Sequence, residues 1–141
     1  MPIIQDELKL LQDQKYKLIK DNQLRYNKYK NKKTTYDGIT FDSKKEMNRY
    51  RELKLLEKGK AIKNLELQPE FLLIPTLRYE NQKTDRKTVY KADFKYENKK
   101  GQIIVEDVKG FKTDVYKIKR KLLIHNMRQG LYGYEFEFKE V

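Results

Sequence analysis

The sequence predicts an α/β fold in which a mixed β-sheet of about four strands is flanked by helices. Two helical segments, the strand-like runs between them and a final strand rich in aromatic residues support this prediction. Their order along the chain is helix, three strands, helix and strand, with an additional basic helix at the N-terminus. A chain of 141 residues fits one such core, and no internal repeat interrupts it.

The N-terminal segment at residues 3–31 contains neither glycine nor proline and predicts one long basic helix. Four apolar residues along it follow a 4-3 spacing: Ile4, Leu8, Leu11 and Leu18. Lys15 interrupts this seam, and about two heptads are too few to establish a coiled coil. The helix is therefore expected to pair two subunits, to dock on its own domain or to act as a basic arm. We predict a helical extension at 1–33 and a domain at 34–141.

The predicted domain begins with a turn at Tyr36-Asp37-Gly38 and a short extended piece at 39–41. Ser43 is a residue type that caps helices, and the helix after it is expected to run to about Lys58 and to stop at Gly59. A polar stretch then separates this helix from the strands.

Three strand-like runs follow, at 70–75, 89–96 and 102–109, and the polar segment 77–88 predicts a loop or loose hairpin. The turn-rich linker 97–101 has the length of a hairpin connection, so the runs on either side of it are expected to pair antiparallel. The third run is apolar on both sides, which is typical of a central strand.

The last two elements are a helix and a strand. Thr113 is expected to cap a helix over 114–127, which Gln129-Gly130 closes. The last strand, at 131–139, alternates aromatic residues with glycine or charged residues, so its aromatic side is expected to face the core. The aromatic positions are Tyr132, Tyr134, Phe136 and Phe138.

The composition favours a polyanionic partner. Lysine and arginine number 33 against 21 acidic residues, which gives a formal net charge of +12. DNA or RNA is the first candidate, because each phosphate that a protein neutralises releases counterions, and 11 tyrosines can lie against sugars or bases. The basic N-terminal helix is one candidate for contact with DNA, beside its expected alternatives of pairing two subunits or docking on its own domain. An anionic membrane is the weaker alternative, and a solvated basic surface without a partner is the plainest one.

Several other classes of protein are disfavoured. The chain contains no cysteine, which excludes disulfides, thiolate zinc sites and thiol nucleophiles. No segment has the roughly 20 consecutive apolar residues that span a bilayer, and the N-terminus has no apolar run of the signal-peptide type. We therefore expect a cytoplasmic protein without membrane contact.

A candidate site lies at the end of the central strand. Period-two alternation places Asp107 and Lys109 on the same side, where charges are costly in a dry interior unless they are used or paired. Folding the hairpin sets Asp93 opposite the 105–107 segment, so that two carboxylates can converge. A divalent cation would turn their repulsion into ligation, and hard oxygen ligands suit Mg²⁺. The alternative is an ordinary ion pair at the strand end.

Glu46 is the third candidate acid. Ser43 and Glu46 match a capping box, in which the glutamate only folds back onto the amides of its own helix. On a helical wheel, however, Glu46 lies near the centre of the apolar stripe and points toward whatever surface the helix covers. If that surface is the sheet, its carboxylate arrives beside Asp93 and Asp107.

Ala92-Asp93 followed by Asp107-Val108-Lys109 resembles the motif of the PD-(D/E)XK nuclease superfamily, with alanine in place of proline. Residues 43–50 resemble the acidic first helix of its core. Longer strings resemble a phage-encoded, largely uncharacterised family within that superfamily: 36–43, 67–69 and 105–110. The resemblance extends over residues 34–140 and implies a restriction-endonuclease-like core.

The resemblance also implies roles for these residues. Asp93 and Asp107 would ligate Mg²⁺, for which Mn²⁺ is expected to substitute, and Glu46 would ligate directly or through water. The main-chain carbonyl of Val108 would complete the shell. Lys109 would orient and help deprotonate the attacking water, or neutralise the charge that builds on the phosphate.

Neighbouring residues have secondary roles in this hypothesis. Glu106 faces away from the site and is expected to be structural, unless a bulge exchanges it with Asp107. Residues just past the site are expected to grip DNA phosphates, the alternative being a solvated helix face: Lys112, Thr113, Lys117, Arg120 and Lys121.

The predicted function is a metal-dependent DNA endonuclease that hydrolyses phosphodiester bonds. We expect a homodimer that is selective for branched DNA such as Holliday junctions, in phage DNA recombination, repair or replication. The alternatives are a non-enzymatic DNA-binding protein and the nuclease subunit of a larger recombination complex.

Overall fold

The computed structural model describes residues 9, 13, 14 and 33–141. The helix predicted over 3–31 lies outside the described residues except at Lys9, Asp13 and Gln14, which are helical. The predicted helical extension at 1–33, its boundary and its three possible roles therefore stay predictions. In the described part of the chain, no helix combines the length and apolarity that crossing a membrane requires.

The chain divides into two compact units, Met1–Met47 and Asn48–Val141. In the first unit, β1 (Thr34–Tyr36) pairs antiparallel with β2 (Ile39–Phe41). The two residues of the turn between them, Asp37 and Gly38, have φ of 54° and 72°. Two-residue hairpin turns favour such positive values, which only glycine, asparagine and aspartate adopt readily. The predicted turn is confirmed.

Both predicted helices begin at their predicted caps. At the start of α1 (Lys44–Lys58), the main-chain N–H of Glu46 donates to Ser43 Oγ at 3.0 Å. At the start of α2 (Asp114–Arg128), the side chain of Thr113 accepts from the N–H of Tyr116 at 3.1 Å. These bonds satisfy amides that have no partner within the helix.

The second unit contains a mixed four-stranded sheet in the order β10-β9-β8-β3. Its strands are β3 (Ile62–Leu67), β8 (Phe94–Asn98), β9 (Ile103–Asp107) and β10 (Glu137–Glu140). β10 runs parallel to β9, and the other neighbours are antiparallel. The predicted α/β class, the mixed sheet and the antiparallel hairpin of β8 and β9 are confirmed.

The position of the first predicted strand differs from the structure. β4 (Glu70–Ile74) forms where a strand was expected, but it pairs with β7 (Thr88–Lys91) outside the main sheet. The place beside β8 belongs instead to β3, which the sequence does not mark as a strand because its apolar and polar residues do not alternate regularly. The segment between β4 and β7 forms a small hairpin of β5 (Leu77–Arg78) and β6 (Thr84–Asp85), as predicted.

The single strand predicted at 89–96 is wrong, because the chain changes partners at Ala92-Asp93. The N–H of Ala92 donates to Pro69 at 3.0 Å, whereas the N–H of Asp93 donates to Glu106 at 3.1 Å. Two strands result, and the residues before and after the break face different sides: Tyr90 and Ala92 belong to the core cluster around Val105.

The final strand is shorter than predicted, because only its last residues pair with β9. Gly130 and Gly133, both at φ 76°, turn the chain before it. The aromatic side still faces the core, as expected, with Phe136 buried and three other aromatic residues packed against the same cluster: Tyr132, Tyr134 and Phe138.

Candidate functional site

β9 ends in two adjacent buried carboxylates that face opposite sides of the sheet. Glu106 is 0% exposed and Asp107 is 1% exposed. Because a buried charge without partners is strongly unfavourable, each needs its own set of contacts. β9 pairs with both neighbours without a register shift, so the alternative in which a bulge exchanges the two acids does not arise.

Glu106 is bound by Arg49 of α1. The guanidinium donates from Nε at 2.7 Å and from Nη2 at 2.9 Å, one bond to each carboxylate oxygen, and the Tyr96 hydroxyl donates as well. The hydrogen bond to Glu106 is the main cause of a raised pKa of Arg49, and burial is the main cause of a raised pKa of Tyr96. These contacts fit the structural role expected of Glu106.

Asp107 has different partners on the other side of the sheet. The Tyr90 hydroxyl donates to Oδ2, and Lys109 Nζ lies 3.2 Å from Oδ1. Burial, followed by the negative charge of Asp107, raises the pKa of Tyr90, which keeps this hydroxyl a donor. Within the described part of the chain, Oδ1 receives no hydrogen bond of good geometry, so the Lys109 ammonium meets it only as an ion pair.

Asp93 sits at the break between β7 and β8, next to the end of β9. Its Oδ2 accepts from the N–H of Val108 at 2.6 Å. Phe94 pairs with Glu106 in the antiparallel register, so that one further step sets Asp93 beside Asp107. The structure therefore brings together Asp93 and the Asp107-Val108-Lys109 segment, as the hairpin pattern predicts.

Glu46 lies in the first turn of α1 and in the first compact unit, where it is 6% exposed. Its place as a third acid beside Asp93 and Asp107 stays a prediction. Among the described residues, no group of three or more histidine, cysteine, aspartate or glutamate side chains is arranged to hold a metal ion.

Two tyrosines near the site have no signal in the sequence. Besides Tyr90, Tyr116 of α2 lies under Lys109, whose Nζ is 4.9 Å from the centre of the ring. A cation over an aromatic face is attracted to it, so this contact helps to fix Lys109. The Tyr116 hydroxyl in turn donates to Glu140 Oε1 at 2.8 Å, which ties α2 to the end of β10.

The residues predicted to bind DNA phosphates fall into two groups, those engaged in contacts within the protein and those exposed on α2. Lys112 and Arg120 both form ion pairs with Glu140, and Thr113 caps α2. Lys117 and Lys121 are exposed on α2. Sequence reasoning missed Glu140, because the acid that neutralises two of these cations comes from the end of a strand 20 or more residues away.

Glu140 provides a prediction for acid stability. Burial alone would raise the pKa of Glu140, but hydrogen bonds from Lys112, Arg120 and Tyr116 outweigh it and lower the pKa from 4.5 to about 2. A depressed pKa in the folded state stabilises the fold fully above pH 4.5, and this contribution is lost as the pH falls toward 2. Glu140→Gln should therefore flatten the loss of stability in that window, measured by urea unfolding at a series of pH values. Glu137→Gln, which changes an exposed acid on the same strand, should leave the slope unchanged.

Tyr90→Phe tests the contact that holds Asp107. The substitution leaves a buried carboxylate oxygen without its donor, and we expect a loss of about 1–3 kcal/mol in the free energy of unfolding. Tyr79→Phe is the matched control, because Tyr79 donates to Asp85 at 2.7 Å on the exposed surface. Equilibrium urea unfolding should show the larger loss for Tyr90→Phe, and equal small losses would contradict a buried role for this bond.

A comparison with known protein families identifies one family whose model matches the chain. The family described as "Protein of unknown function (DUF1064)" matches residues 26–135, more than three quarters of the 141 residues. The chain belongs to the DUF1064 family. The DUF1064 match includes Asp93, Asp107 and Lys109 and stops before β10. No curated protein and no solved structure matches the chain. Membership of the PD-(D/E)XK superfamily stays a prediction.

Proposed function

We propose that this DUF1064 protein is a metal-dependent DNA endonuclease with a restriction-endonuclease-like core of the PD-(D/E)XK type. The observation that carries the proposal is the juxtaposition of residues at the start of β8 and the end of β9. Asp93 Oδ2 lies 2.6 Å from the N–H of Val108, and Lys109 Nζ lies 3.2 Å from Asp107 Oδ1. Two acids and a lysine thus meet in the order that the nuclease motif requires.

The donor set at this place fits Mg²⁺. Asp93 and Asp107 contribute carboxylates, and Val108 contributes a main-chain carbonyl, all of which are hard oxygen ligands that Mg²⁺ prefers alongside several waters. Oδ1 of Asp107 is buried and receives no hydrogen bond among the described residues, as suits a ligand atom. Mn²⁺ has the same preference for oxygen and is expected to substitute. Glu46 is proposed as a further ligand, directly or through water.

The residues of the site would divide the work of phosphodiester hydrolysis. When bound, Mg²⁺ lowers the pKa of a coordinated water and polarises the phosphate. Lys109 orients the attacking water or offsets the charge that develops on the phosphate. Tyr90 fixes the carboxylate of Asp107, and Tyr116 restricts where the Lys109 ammonium can lie.

Branched DNA is the proposed substrate, and a homodimer is the proposed active form. Two active sites held at a fixed spacing can cut both strands of a junction, as phage recombination, repair or replication requires. The net charge of +12 supports a polyanionic substrate but does not distinguish a junction from a linear duplex. We propose that the protein acts in the cytoplasm, with Lys117 and Lys121 among its phosphate contacts.

One assay tests both the activity and its selectivity. A plasmid, a labelled linear duplex and a labelled four-way junction are incubated with the protein in Mg²⁺ or in EDTA, beside the Lys109→Ala variant. We expect cleavage in Mg²⁺ alone, faster on the junction, and a loss of about 10²-fold or more for Lys109→Ala. Equal cleavage of junction and duplex would contradict selectivity, and cleavage that persists in EDTA would contradict the metal-dependent nuclease.

A second candidate is a DNA-binding protein without catalytic activity. The ion pair between Lys109 and Asp107 favours it, because these charges already offset each other without a metal. This candidate predicts DNA binding that survives both EDTA and Asp107→Asn, with no cleavage of any substrate. A nuclease subunit of a larger recombination complex would instead be inactive alone and become active when its partner is added.

A further inference from the structure

A basic cavity of about 800 Å³ lies at the end of the main sheet opposite to Asp93 and Asp107. The β8–β9 hairpin turn forms one wall, and the connection from α1 to β3 forms the other. Four lysines and one carboxylate are the charged residues that line it: Lys60, Lys63, Lys99, Lys100 and Glu57. The lining therefore carries a surplus of positive charge.

Both walls of this cavity have a well-defined backbone. At the hairpin, Asn98 Oδ1 accepts from the N–H of Lys100 at 3.0 Å and from the N–H of Gln102 at 2.9 Å. At the other wall, Lys60 adopts a φ of 60°, and its N–H donates to the carbonyl of Glu57 at 3.0 Å. Lys60, Lys99 and Lys100 thus belong to turns that hydrogen bonds hold in place, and Lys63 belongs to the paired strand β3.

The carboxylates closest to the cavity are engaged elsewhere. Glu57 accepts from the N–H of Leu65 at 3.0 Å and lies 3.4 Å from Lys54 Nζ, and Glu97 accepts from the Asn64 side chain at 2.5 Å. In residues 33–141, none of the four cavity lysines forms an ion pair. Four like charges beside a single carboxylate repel one another, so an anion placed between them is stabilised.

We propose that this cavity binds backbone phosphates of DNA as a second contact region, remote from the acids of the candidate site. Asp93 immediately precedes β8 and Asn98 ends it, so the two stand five residues apart, or about 16 Å at the usual rise of a strand. Successive base pairs are spaced by about 3.4 Å, so this separation equals about five base pairs of duplex. The choice of DNA as the anion rests on the proposed function, whereas the phosphate chemistry rests on the lysines alone.

Binding measured in EDTA tests this proposal without requiring cleavage, so its failure and that of the nuclease are distinguishable. Fluorescence anisotropy with a labelled duplex over a series of salt concentrations gives the number of phosphates neutralised. The test variant is K60Q/K63Q/K99Q/K100Q. The control is K44Q/K83Q/K87Q/K91Q, which removes the same charge from exposed lysines outside the cavity.

The slope of log affinity against log salt is negative. We expect its magnitude to decrease by about 2 to 4 for the test variant, because each lost phosphate contact reduces that magnitude by about 0.9. The control should change the slope by less than about 1. Equal changes for the two variants would mean that net charge alone matters, and would overturn the proposal.

A measurement on the unmodified protein does not depend on the folding of a variant. Acetylation of lysines, read by mass spectrometry, is compared without DNA, with DNA and with inorganic phosphate. DNA should reduce the acetylation of the four cavity lysines several-fold relative to that of Lys83 and Lys87. Unchanged labelling would overturn the proposal, and protection by inorganic phosphate equal to that by DNA would assign the cavity to a small anion instead.

Discussion

Replacing Asp107 with asparagine is expected to reduce Mg²⁺-dependent DNA cleavage by about 10³-fold. The substitution removes the negative charge of the most buried ligand proposed for the metal, and a metal contributes several kcal/mol to catalysis of this kind, with about 1.4 kcal/mol for each tenfold in rate. Asparagine keeps the shape of the side chain, and its oxygen still accepts from Tyr90. Single-turnover cleavage of a labelled junction measures the effect.

Asp85→Asn is the matched control for this substitution. Asp85 also accepts a hydrogen bond from a tyrosine, Tyr79, but both residues are exposed on the β5–β6 hairpin. The Asp85→Asn variant should cleave DNA at the rate of the unsubstituted protein. Affinity for DNA in EDTA and the unfolding midpoint should stay near their original values for Asp107→Asn. Cleavage retained within about tenfold would contradict a ligand role for Asp107.

The parts of the fold that the sequence predicts well are those set by local chemistry. Ser43 and Thr113 cap their helices through hydrogen bonds to residues three positions on, and Asp37-Gly38 turns a hairpin of adjacent residues. β3 depends on pairing with β8, some 30 residues away in sequence, and its own residues show no regular alternation of apolar and polar side chains. The break at Ala92-Asp93 likewise depends on bonds to Pro69 and Glu106, which no local pattern reveals.

The same distinction holds at the candidate site. Alternation along one strand and the register of one hairpin are enough to bring Asp93, Asp107 and Lys109 together. Tyr90 reaches Asp107 only because the strand break turns it toward the other side of the sheet, and Tyr116 reaches Lys109 only through the packing of α2. These contacts arise from tertiary structure, so the spacing of residues in the sequence does not predict them.

Arg49→Ala is expected to lower the free energy of unfolding by about 3 kcal/mol, the largest stability effect that we predict. Glu106 is completely buried, and Arg49 supplies two of its hydrogen bonds at 2.7 and 2.9 Å. Without the guanidinium, a carboxylate remains in the interior with only the Tyr96 hydroxyl to offset it. Equilibrium urea unfolding measures the loss.

Glu52→Ala is the control, because it removes the other acid that Arg49 contacts, at 2.8 Å on the exposed side of α1. An exposed pair of this kind contributes about 0.5 kcal/mol or less, so this variant should unfold almost as the original does. Adding Glu106→Gln to Arg49→Ala should recover part of the stability, because the charge left without a partner is gone. If the losses in free energy of unfolding caused by the two substitutions instead add, Glu106 is not held as a buried charge by Arg49. The ion pair then does not join α1 to the sheet.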